Sequence, residues 1–456
     1  MESSSYLLKH VARLALAGYF ATFCAAASAD TCIQPWQARS GTSADDEIHA
    51  AIRDSEGATY LGGFENGILG VENNWPVGNV RGTVEKRAFD GSIVWRKAYE
   101  SLGHATLVEA VALDPTRGRL VVVGRTDGAL TGEANHGQFD LFVALLRAAD
   151  GTVIAQSQFG DQGPQHPTAA AVLPSGDVVV VGYDDAFVQG NAVVGQQTMF
   201  MARYAQRADD PSKFSQQWLR QPNAPSALSP LSSAFAVTSA GDGSEDVIVA
   251  ARSALAPSRG GGARLVRVDG TGAESWNRLI SPSPLDVAFS AATSNSGRLY
   301  VAGMTVIPLA GPAQGNSDGF LMERDPATGD LVWGQQFGSA GGDWVSSLAI
   351  DGAGQLFIAG ISVTAADAGG APDSYAVFAS TYSSQGVPLG SWQASRPTTA
   401  FVDSLSIVPS CNGAALLAGH ASGDLPSLPG IGRMDAVVLP VRLSTDEDRI
   451  FGADFE

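Results

Sequence analysis

Aspartate recurs in this sequence at one register, eight residues before the end of a predicted strand. Three residues share that register and a fourth matches it with a shift of one: Asp46, Asp286, Asp343 and Asp403. Carboxylates gathered at the mouth of a channel could bind a hard cation such as Ca²⁺, or serve as acid and base in a hydrolase. Each could also cap the loop that precedes it, because Asp side chains accept hydrogen bonds from nearby backbone N–H groups. We expect capping, no cofactor and no metal, with Ca²⁺ as the alternative.

The histidines show no metal-binding spacing. Those that follow the N-terminal segment are His49, His104, His136, His166 and His420, and none lies in a His-x-His or His-Glu-x-x-His pattern. His49, His104 and His166 fall at or near predicted strands. The simpler interpretation is that each is held by hydrogen bonds within its strand, and the alternative is that they face a central channel. The sequence has no P-loop. Local motifs therefore indicate no catalytic machinery.

The composition excludes several classes of protein. The chain has 456 residues, 45% of them hydrophobic, and a formal net charge of −18. Such an apolar fraction can bury a core, so a disordered chain is excluded. Nucleic acid and anionic lipid both require a basic face, which a chain this acidic does not favour. We expect no nucleic-acid partner.

Residues 1 to 29 have the features of a secretory signal peptide. Lys9 and Arg13 precede an apolar run, and Ala27-Ser28-Ala29 supplies small residues before a cleavage site. The apolar run is short for a membrane span, and no later stretch reaches spanning length. We therefore expect an exported protein without a membrane span, which is secreted, periplasmic or at the cell surface.

An apolar run closed by a small residue recurs seven times along the chain. The closing residues are Gly63, Gly124, Gly182, Ala251, Gly303, Gly360 and Gly419. The clearest repeat, residues 318 to 360, divides into four short strands bounded by Gly, Asp and Pro. Seven such repeats predict an all-β fold, a seven-bladed β-propeller of four-stranded antiparallel blades. It would span residues 30 to 443, followed by a short tail at 444 to 456.

Both ends of the chain belong to one predicted blade. The N-terminal residues Trp36, Asp46, Asp54 and Gly63 match Trp333, Asp343, Asp351 and Gly360 at a constant offset of 297. The chain also ends in mid-repeat, on the strand 435 to 443. We expect residues 33 to 39 to pair with that strand as the outer strand of the last blade and to close the ring. Cys32 and Cys411 then lie at one end of the same sheet, and we predict that they form a disulfide.

The repeat resembles a bacterial family. Its pattern of Asp-x-Phe, Trp-x-x-x-Phe-Gly and a Val/Ile-rich strand ending in Ala/Val-Gly is carried by Asp318 to Phe320, Trp333 to Gly338 and residues 355 to 360. This pattern is similar to the SBBP-type β-propeller repeats of bacterial secreted proteins. Residues 174 to 183 also resemble the delta-sixty repeat. The resemblance implies an exported bacterial propeller and assigns no activity.

A second likeness concerns the tryptophans. Residues 325 to 333, Asp-Pro-Ala-Thr-Gly-Asp-Leu-Val-Trp, resemble the docking repeat of quinoprotein dehydrogenases. In that family the tryptophan is a structural girdle residue, so the likeness implies packing between blades. The adjacent cysteine pair and the calcium-binding acid cluster of a quinoprotein are not visible in the sequence.

Long connections after the second strand of most blades favour a binding function. In an antiparallel blade these loops and the inter-blade loops share one face, where ligands commonly bind. Trp75 and His136 lie in such loops, and Trp344 follows Asp343 at the channel mouth. We predict a monomeric, non-enzymatic binding or cell-surface interaction scaffold for an unknown protein or glycan ligand. The alternative is an exported enzyme at the channel mouth, either a quinoprotein-like oxidoreductase or a glycan-acting hydrolase using Asp286 or Asp343.

Overall fold

The computed structural model describes most of the predicted propeller. It covers residues 36–69, 76–77, 79–185, 187–189, 192–194, 197–221, 232–253, 261–363, 375–394, 402–410, 413–422 and 429–443. The predicted signal peptide, Cys32, Cys411, Trp75 and the tail at 444 to 456 lie outside these residues, and the statements about them remain predictions. Within the described ranges, no helix long and apolar enough to cross a membrane occurs.

Seven antiparallel sheets form the structure, as the repeat predicts. From inner to outer strand, blade 1 contains β2 (Asp45–Arg53), β3 (Thr59–Leu69), β5 (Arg81–Arg87) and β6 (Ile93–Tyr99). Blade 2 contains β7 (Thr106–Asp114), β8 (Arg119–Thr126), β9 (Asp140–Arg147) and β10 (Val153–Phe159). Blade 3 contains β11 (Gln165–Val172), β12 (Val178–Asp184), β15 (Thr198–Gln206) and β16 (Phe214–Arg220).

The remaining blades repeat the same order. Blade 4 contains β17 (Ser232–Ser239), β18 (Val247–Ser253), β19 (Gly262–Val268) and β20 (Glu274–Ser281). Blade 5 contains β21 (Val287–Thr293), β22 (Leu299–Thr305), β23 (Asp318–Arg324) and β24 (Leu331–Phe337). Blade 6 contains β25 (Gly342–Ile350), β26 (Leu356–Val363), β27 (Tyr375–Tyr382) and β28 (Pro388–Gln393). Blade 7 contains β29 (Val402–Pro409), β30 (Ala414–Ala421), β31 (Asp435–Arg442) and β1 (Ala38–Ser40).

Three short strands stand apart from this pattern. The strand β4 (Pro76–Val77) pairs with the end of β3, and β13 (Phe187–Gln189) pairs with β14 (Ala192–Val194) in the long loop of blade 3. The inner strands contact one another in order around the ring, and β29 contacts β2. Inner and second strands are nearly all buried, which explains why their sequences are continuous apolar runs.

Each inner strand carries a β-bulge at an equivalent place. The bulged residues are His49, Glu109, Thr168, Phe235, Phe289 and Ser346, with a wider irregularity between Asp403 and Ser406 in β29. The recurring glycine of the second strand lies opposite. A Cβ at Gly124 would stand 2.0 Å from the carbonyl oxygen of Leu107, and one at Gly360 would stand 2.0 Å from that of Trp344. The small residue that closes each apolar run therefore leaves room for the backbone of the bulged inner strand.

Tryptophans on or just before the outer strands pack on turn glycines of the next blade. The pairs are Trp36 with Gly91, Trp95 with Gly151, Trp218 with Gly272, Trp276 with Gly329 and Trp333 with Gly386. Indole N–H groups of Trp95, Trp218 and Trp276 donate to carbonyl oxygens of the same turns at 3.0–3.2 Å. The turn glycines have positive φ, and a Cβ on any of them would come within 3 Å of the indole. These tryptophans thus hold neighbouring blades together.

An aspartate clasp fixes the base of the long loops in blades 2, 5 and 7. Asp318, the first residue of β23, accepts hydrogen bonds from the backbone N–H groups of Gln314 and Gly315. Its Oδ2 also accepts from Nε2 of Gln336 on the outer strand, at 2.7 Å. The carboxylate lies against Gly338, where a Cβ would stand 2.5 Å from Oδ1. One side chain therefore joins a long loop, an outer strand and an inter-blade connection.

Blades 2 and 7 repeat this clasp. In blade 2, Asp140 accepts from the backbone of His136 and from Nε2 of Gln158, and it lies against Gly160. In blade 7, Asp435 lies against Gly41, and the donor from the outer strand is Arg39. The closing blade thus replaces a neutral donor with a charged one.

The predicted ring closure is confirmed. Ala38, Arg39 and Ser40 pair with Val438, Val437 and Ala436. The described strand runs from Ala38 to Ser40 and does not include Trp36, which packs on the turn of blade 1, while residues 33 to 35 of the predicted strand lie outside the described residues. Arg39 and Asp435 form an ion pair with side chains 2% and 0% exposed. The ring is therefore closed by backbone pairing and a buried salt bridge.

Removing Arg39 should destabilise the whole ring. Truncation in Arg39→Ala leaves Asp435 as an uncompensated buried charge, which costs about 3–5 kcal/mol in the free energy of unfolding. Arg39→Gln is the matched control, because Gln158 and Gln336 hold the equivalent aspartates, and it should lose less than half as much. Urea unfolding followed by tryptophan fluorescence measures both. Equal losses for the two variants would contradict the clasp.

Candidate functional site

The structure does not bring Asp46, Asp286 and Asp343 together. They lie at the seams between blades 7 and 1, blades 4 and 5, and blades 5 and 6, respectively. Asp343 accepts hydrogen bonds from the backbone N–H and the hydroxyl of Ser339 at 2.6 and 2.9 Å. Burial raises the pKa of Asp343, and these hydrogen bonds oppose that effect. The carboxylate of Asp343 is thus hydrogen-bonded within its own seam.

The other two aspartates are used in the same way. Asp46 accepts from the backbone of Thr42 at 2.6 Å and from that of Asn66 at 3.0 Å. Asp286 accepts from the backbone of Val306 at 2.8 Å and from the hydroxyl of Thr305 at 2.6 Å. Among the residues that the structure describes, no group of three or more His, Cys, Asp or Glu is placed to hold a metal ion.

The remaining predicted site residues are dispersed. Asp403 pairs with His420 through the backbone at the start of β29. Trp344 is buried in the apolar cluster that includes Phe235 and Phe289. His136 lies on the long-loop face with its side chain 45% exposed, and its Nδ1 is 3.2 Å from Oδ2 of Asp140. Of these three, His136 is the one that presents a described side chain to a ligand.

A buried ionic network fills one half of the channel. The bulged residues of blades 1 and 2 meet through Nδ1 of His49 and Oε2 of Glu109, at 2.8 Å. Arg125 donates from Nε to the other oxygen of Glu109 at 2.7 Å and from Nη1 to Nδ1 of His166. Nε2 of His49 lies 3.0 Å from the carboxylate of Glu47. The network crosses blades 1, 2 and 3.

The charges of this network alternate. Burial lowers the pKa of His49, but the carboxylates of Glu109 and Glu47 outweigh burial and raise that pKa to about 10. Burial raises the pKa of Glu109, yet His49 and Arg125 hold it below its usual value. Burial and the charge of Arg125 lower the pKa of His166 well below its usual value. At pH 7 His49 is therefore positive, Glu109 negative and His166 neutral.

The described bulged residues of blades 4, 5 and 6 are uncharged. The rings of Phe235 and Phe289 meet edge to face with centroids 5.6 Å apart. Thr168 donates its hydroxyl to the carbonyl oxygens of Val181 and Ala234, which joins blade 3 to blade 4. The six bulged residues from His49 to Ser346 are each at most 3% exposed. Side chains therefore close the channel at the level of the bulges.

Local spacing could not reveal this network. His49 lies 14 residues before Gly63, and Glu109 lies 15 residues before Gly124. Aligning the repeats on the recurring glycine places the two residues within one position of each other. That alignment is the signal in the sequence that identifies the channel layer.

Two cavities open on the described surface. One of about 130 Å³ lies at the seam between blades 7 and 1, with a polar lining that includes Asp46, Glu47, Glu65, Glu85 and Arg96. The other, of about 330 Å³, lies at the tight-turn mouth of the channel. Aliphatic residues of 112–115 and 170–174 line much of it, so it offers few polar groups to orient a ligand. The seam cavity is the better candidate site.

Comparison with known proteins concerns the fold. No family model and no curated protein matches the chain. Among solved structures, the quinohemoprotein alcohol dehydrogenase from Comamonas testosteroni has a TM-score of 0.44 and 10% identity, covering 92% of this chain and 79% of its own. The polysaccharide lyase Uly1 has a TM-score of 0.45 and 11% identity, and the match covers 94% of this chain and 98% of the lyase. The intramolecular trans-sialidase from Ruminococcus gnavus has a TM-score of 0.43 and 8% identity, and the match covers 92% of this chain and 99% of the trans-sialidase. With TM-scores below 0.5, these likenesses carry no argument about activity.

Calcium should leave the melting temperature unchanged, because Asp46, Asp286 and Asp343 each cap a separate seam. Scanning fluorimetry with and without millimolar CaCl₂ measures this, with Asp343→Ala as the comparison variant. A site occupied at 100 times its dissociation constant would add about 2.7 kcal/mol, which is a shift of a few degrees for a chain of this size. Such a rise, lost in Asp343→Ala, would refute the capping interpretation.

The His49–Glu109 pair should make stability depend on alkaline pH. Because the pKa of His49 rises from 6.5 to about 10 on folding, its contribution is complete below pH 6.5 and is lost as pH rises through 10. His49→Gln keeps hydrogen-bonding capacity without the charge. The difference in unfolding free energy between wild type and this variant should therefore shrink from pH 6.5 to pH 10. A difference that stays constant over that range would contradict the charged pair.

Proposed function

We propose that the protein is an exported, monomeric binding scaffold without catalytic activity, located in the periplasm, on the cell surface or outside a bacterial cell. The observation that supports this is the sealed channel. Glu109 and Arg125 are each about 1% exposed, and their charges are neutralised inside the network. A substrate entering either mouth would meet no free acid, base or nucleophile in the described channel layer. The resemblance to SBBP-type repeats agrees with this proposal.

The long-loop face is the proposed binding surface. The clasps at Asp140, Asp318 and Asp435 fix the bases of three long loops to an outer strand and to an inter-blade connection. Loops held in this way lose less conformational entropy when a ligand binds. Rigid support for variable loops is typical of binding proteins.

A glycan-acting hydrolase is the second candidate. It is favoured by the carboxylates of Asp46, Glu47, Glu65 and Glu85, which line one concave cavity. Glycoside hydrolysis uses two carboxyl groups on either side of the scissile bond. Against it, Glu65 is paired with Arg81 and Arg96, and Glu85 is paired with Arg87. Charge pairing of this kind suits recognition better than proton transfer.

Binding without turnover is the expected result for the mature chain. A glycan array and a library of secreted proteins report the ligand, and mass spectrometry of the recovered ligand reports any chemical change. We expect retention of a ligand that is recovered intact. Turnover that is lost in Glu47→Gln or Glu85→Gln, and kept in the exposed control Glu274→Gln, would replace the scaffold proposal with the hydrolase.

A further inference from the structure

The seam between blades 7 and 1 is packed differently from three of the other seams. In three other seams, the last residue of the outer strand is aromatic and contacts a ring on the third strand of the next blade. These contacts are Tyr99 with Phe142 at 5.1 Å, Phe159 with Tyr204 at 4.6 Å, and Phe337 with Phe378 at 6.5 Å between centroids. The rings of these pairs are buried or nearly so, and they fill their seams.

The pairing registers show what replaces these rings at the closing seam. Ser40 pairs with Ala436, the residue after the clasp aspartate, just as Phe337 pairs with Gly319. On the facing strand, Thr83 pairs with Gly63 as Phe378 pairs with Gly360. Two rings are thus replaced by two small hydroxyl side chains. The cavity of about 130 Å³ remains where the rings would be, and both Ser40 and Thr83 line it.

Charged side chains surround this cavity in matched pairs. Glu65 binds Arg96 and also Arg81, the latter at 2.6 Å. Glu85 binds Arg87 at 2.6 Å. Glu47 binds His49 as described above, and loop N–H groups satisfy Asp46. Arg96 is the cation in the lining itself, while Arg81, Arg87 and His49 pair with these carboxylates from outside it.

A cavity whose carboxylates already have cationic or N–H partners selects its ligand by hydrogen bonding. The carboxylates accept, the guanidinium of Arg96 donates, and the hydroxyls of Ser40 and Thr83 do both. A ligand hydroxyl also both donates and accepts, so neighbouring hydroxyls can pair with neighbouring acceptor and donor groups. A free cation would have to compete with the arginines already bound to these carboxylates. The lining therefore favours a compact neutral molecule rich in hydroxyl groups.

We propose that the cavity at the seam of blades 7 and 1 binds the terminal monosaccharide of a glycan. This inference rests on the proposed binding function and names the ligand class. Arg96 is 41% exposed at the edge of the cavity, which leaves an exit for the rest of a glycan chain. Glu65 lies near the end of β3, which leads toward the loop after that strand.

Neutral methyl glycosides are the probes for this site. Saturation-transfer NMR on the mature chain should show contact with at least one of the methyl hexosides and pentosides, and titration calorimetry gives its affinity. Ser40→Phe restores the residue type of Phe159 and Phe337 and should weaken binding at least tenfold without lowering the melting temperature. Glu85→Gln keeps the shape of the cavity and should weaken binding about tenfold. Two different variants keep the test valid if one of them folds poorly.

Phe337→Ser is the matched control. It opens the equivalent seam between blades 5 and 6, where the facing strand carries Phe378 and Tyr382. We expect a lower melting temperature, because a buried ring is lost, and an unchanged affinity for the glycoside. A loss of affinity in this variant equal to that in Ser40→Phe would place the sugar elsewhere and overturn the proposal.

The outcomes separate this inference from the proposed function. A glycan or protein ligand retained on the array, with no methyl glycoside bound or with full affinity in Ser40→Phe, would overturn the cavity and leave the scaffold intact. Binding of n-butylammonium in place of every neutral glycoside would overturn the ligand class. No ligand on the array and no glycoside bound would overturn both proposals.

Discussion

Closure of the ring through blade 7 is the constraint on which the rest of the structure depends. In every other blade the chain runs continuously from the inner to the outer strand, whereas Arg39 and Asp435 are separated by 396 positions. Opening this blade would expose the edge of β31 and remove the wall that supports blade 1. The three-residue strand β1 offers few backbone hydrogen bonds, so the buried ion pair supplies the charge-assisted contact that Gln158 and Gln336 provide in neutral form elsewhere.

The closing strand β1 also determines which seam contains a cavity that could hold a ligand. An outer strand that ends in Ser40, with Thr83 on the facing strand, leaves its seam open, while the strands that end in Tyr99, Phe159 and Phe337 fill theirs. The same ring is sealed at its centre by an ionic layer in blades 1 to 3 and by phenylalanines in blades 4 and 5. If blade 1 or 2 stood beside blade 4 or 5, its buried charge would face an aromatic ring and lose its partner. The layer therefore favours the observed order of blades.

The sequence was sufficient for the architecture because a repeat period is visible in it. The spacing of the recurring glycines predicts seven blades, and the constant offset between Trp36 and Trp333 predicts closure. The contact between His49 and Glu109 could not be predicted from spacing, since it joins residues 60 positions apart at bulges that shift relative to the glycines. The role of Ser40 required the strand register of a sheet built from both chain ends. The sequence shows that Asp343 recurs at the same position as Asp46 and Asp286 in their repeats. It does not show which groups donate hydrogen bonds to Asp343.

Hydrogen–deuterium exchange of the native mature chain tests the central claim most directly. The claim is that residues 36–47 are an integral part of blade 7 and of the seam that it forms with blade 1. The amides of Ala38 to Ser40 that pair with β31 should then be protected as long as those of β31 itself, and the two segments should exchange together when the ring opens. Rapid exchange of residues 38–40 while 435–442 stay protected would contradict a ring closed by the N-terminal strand.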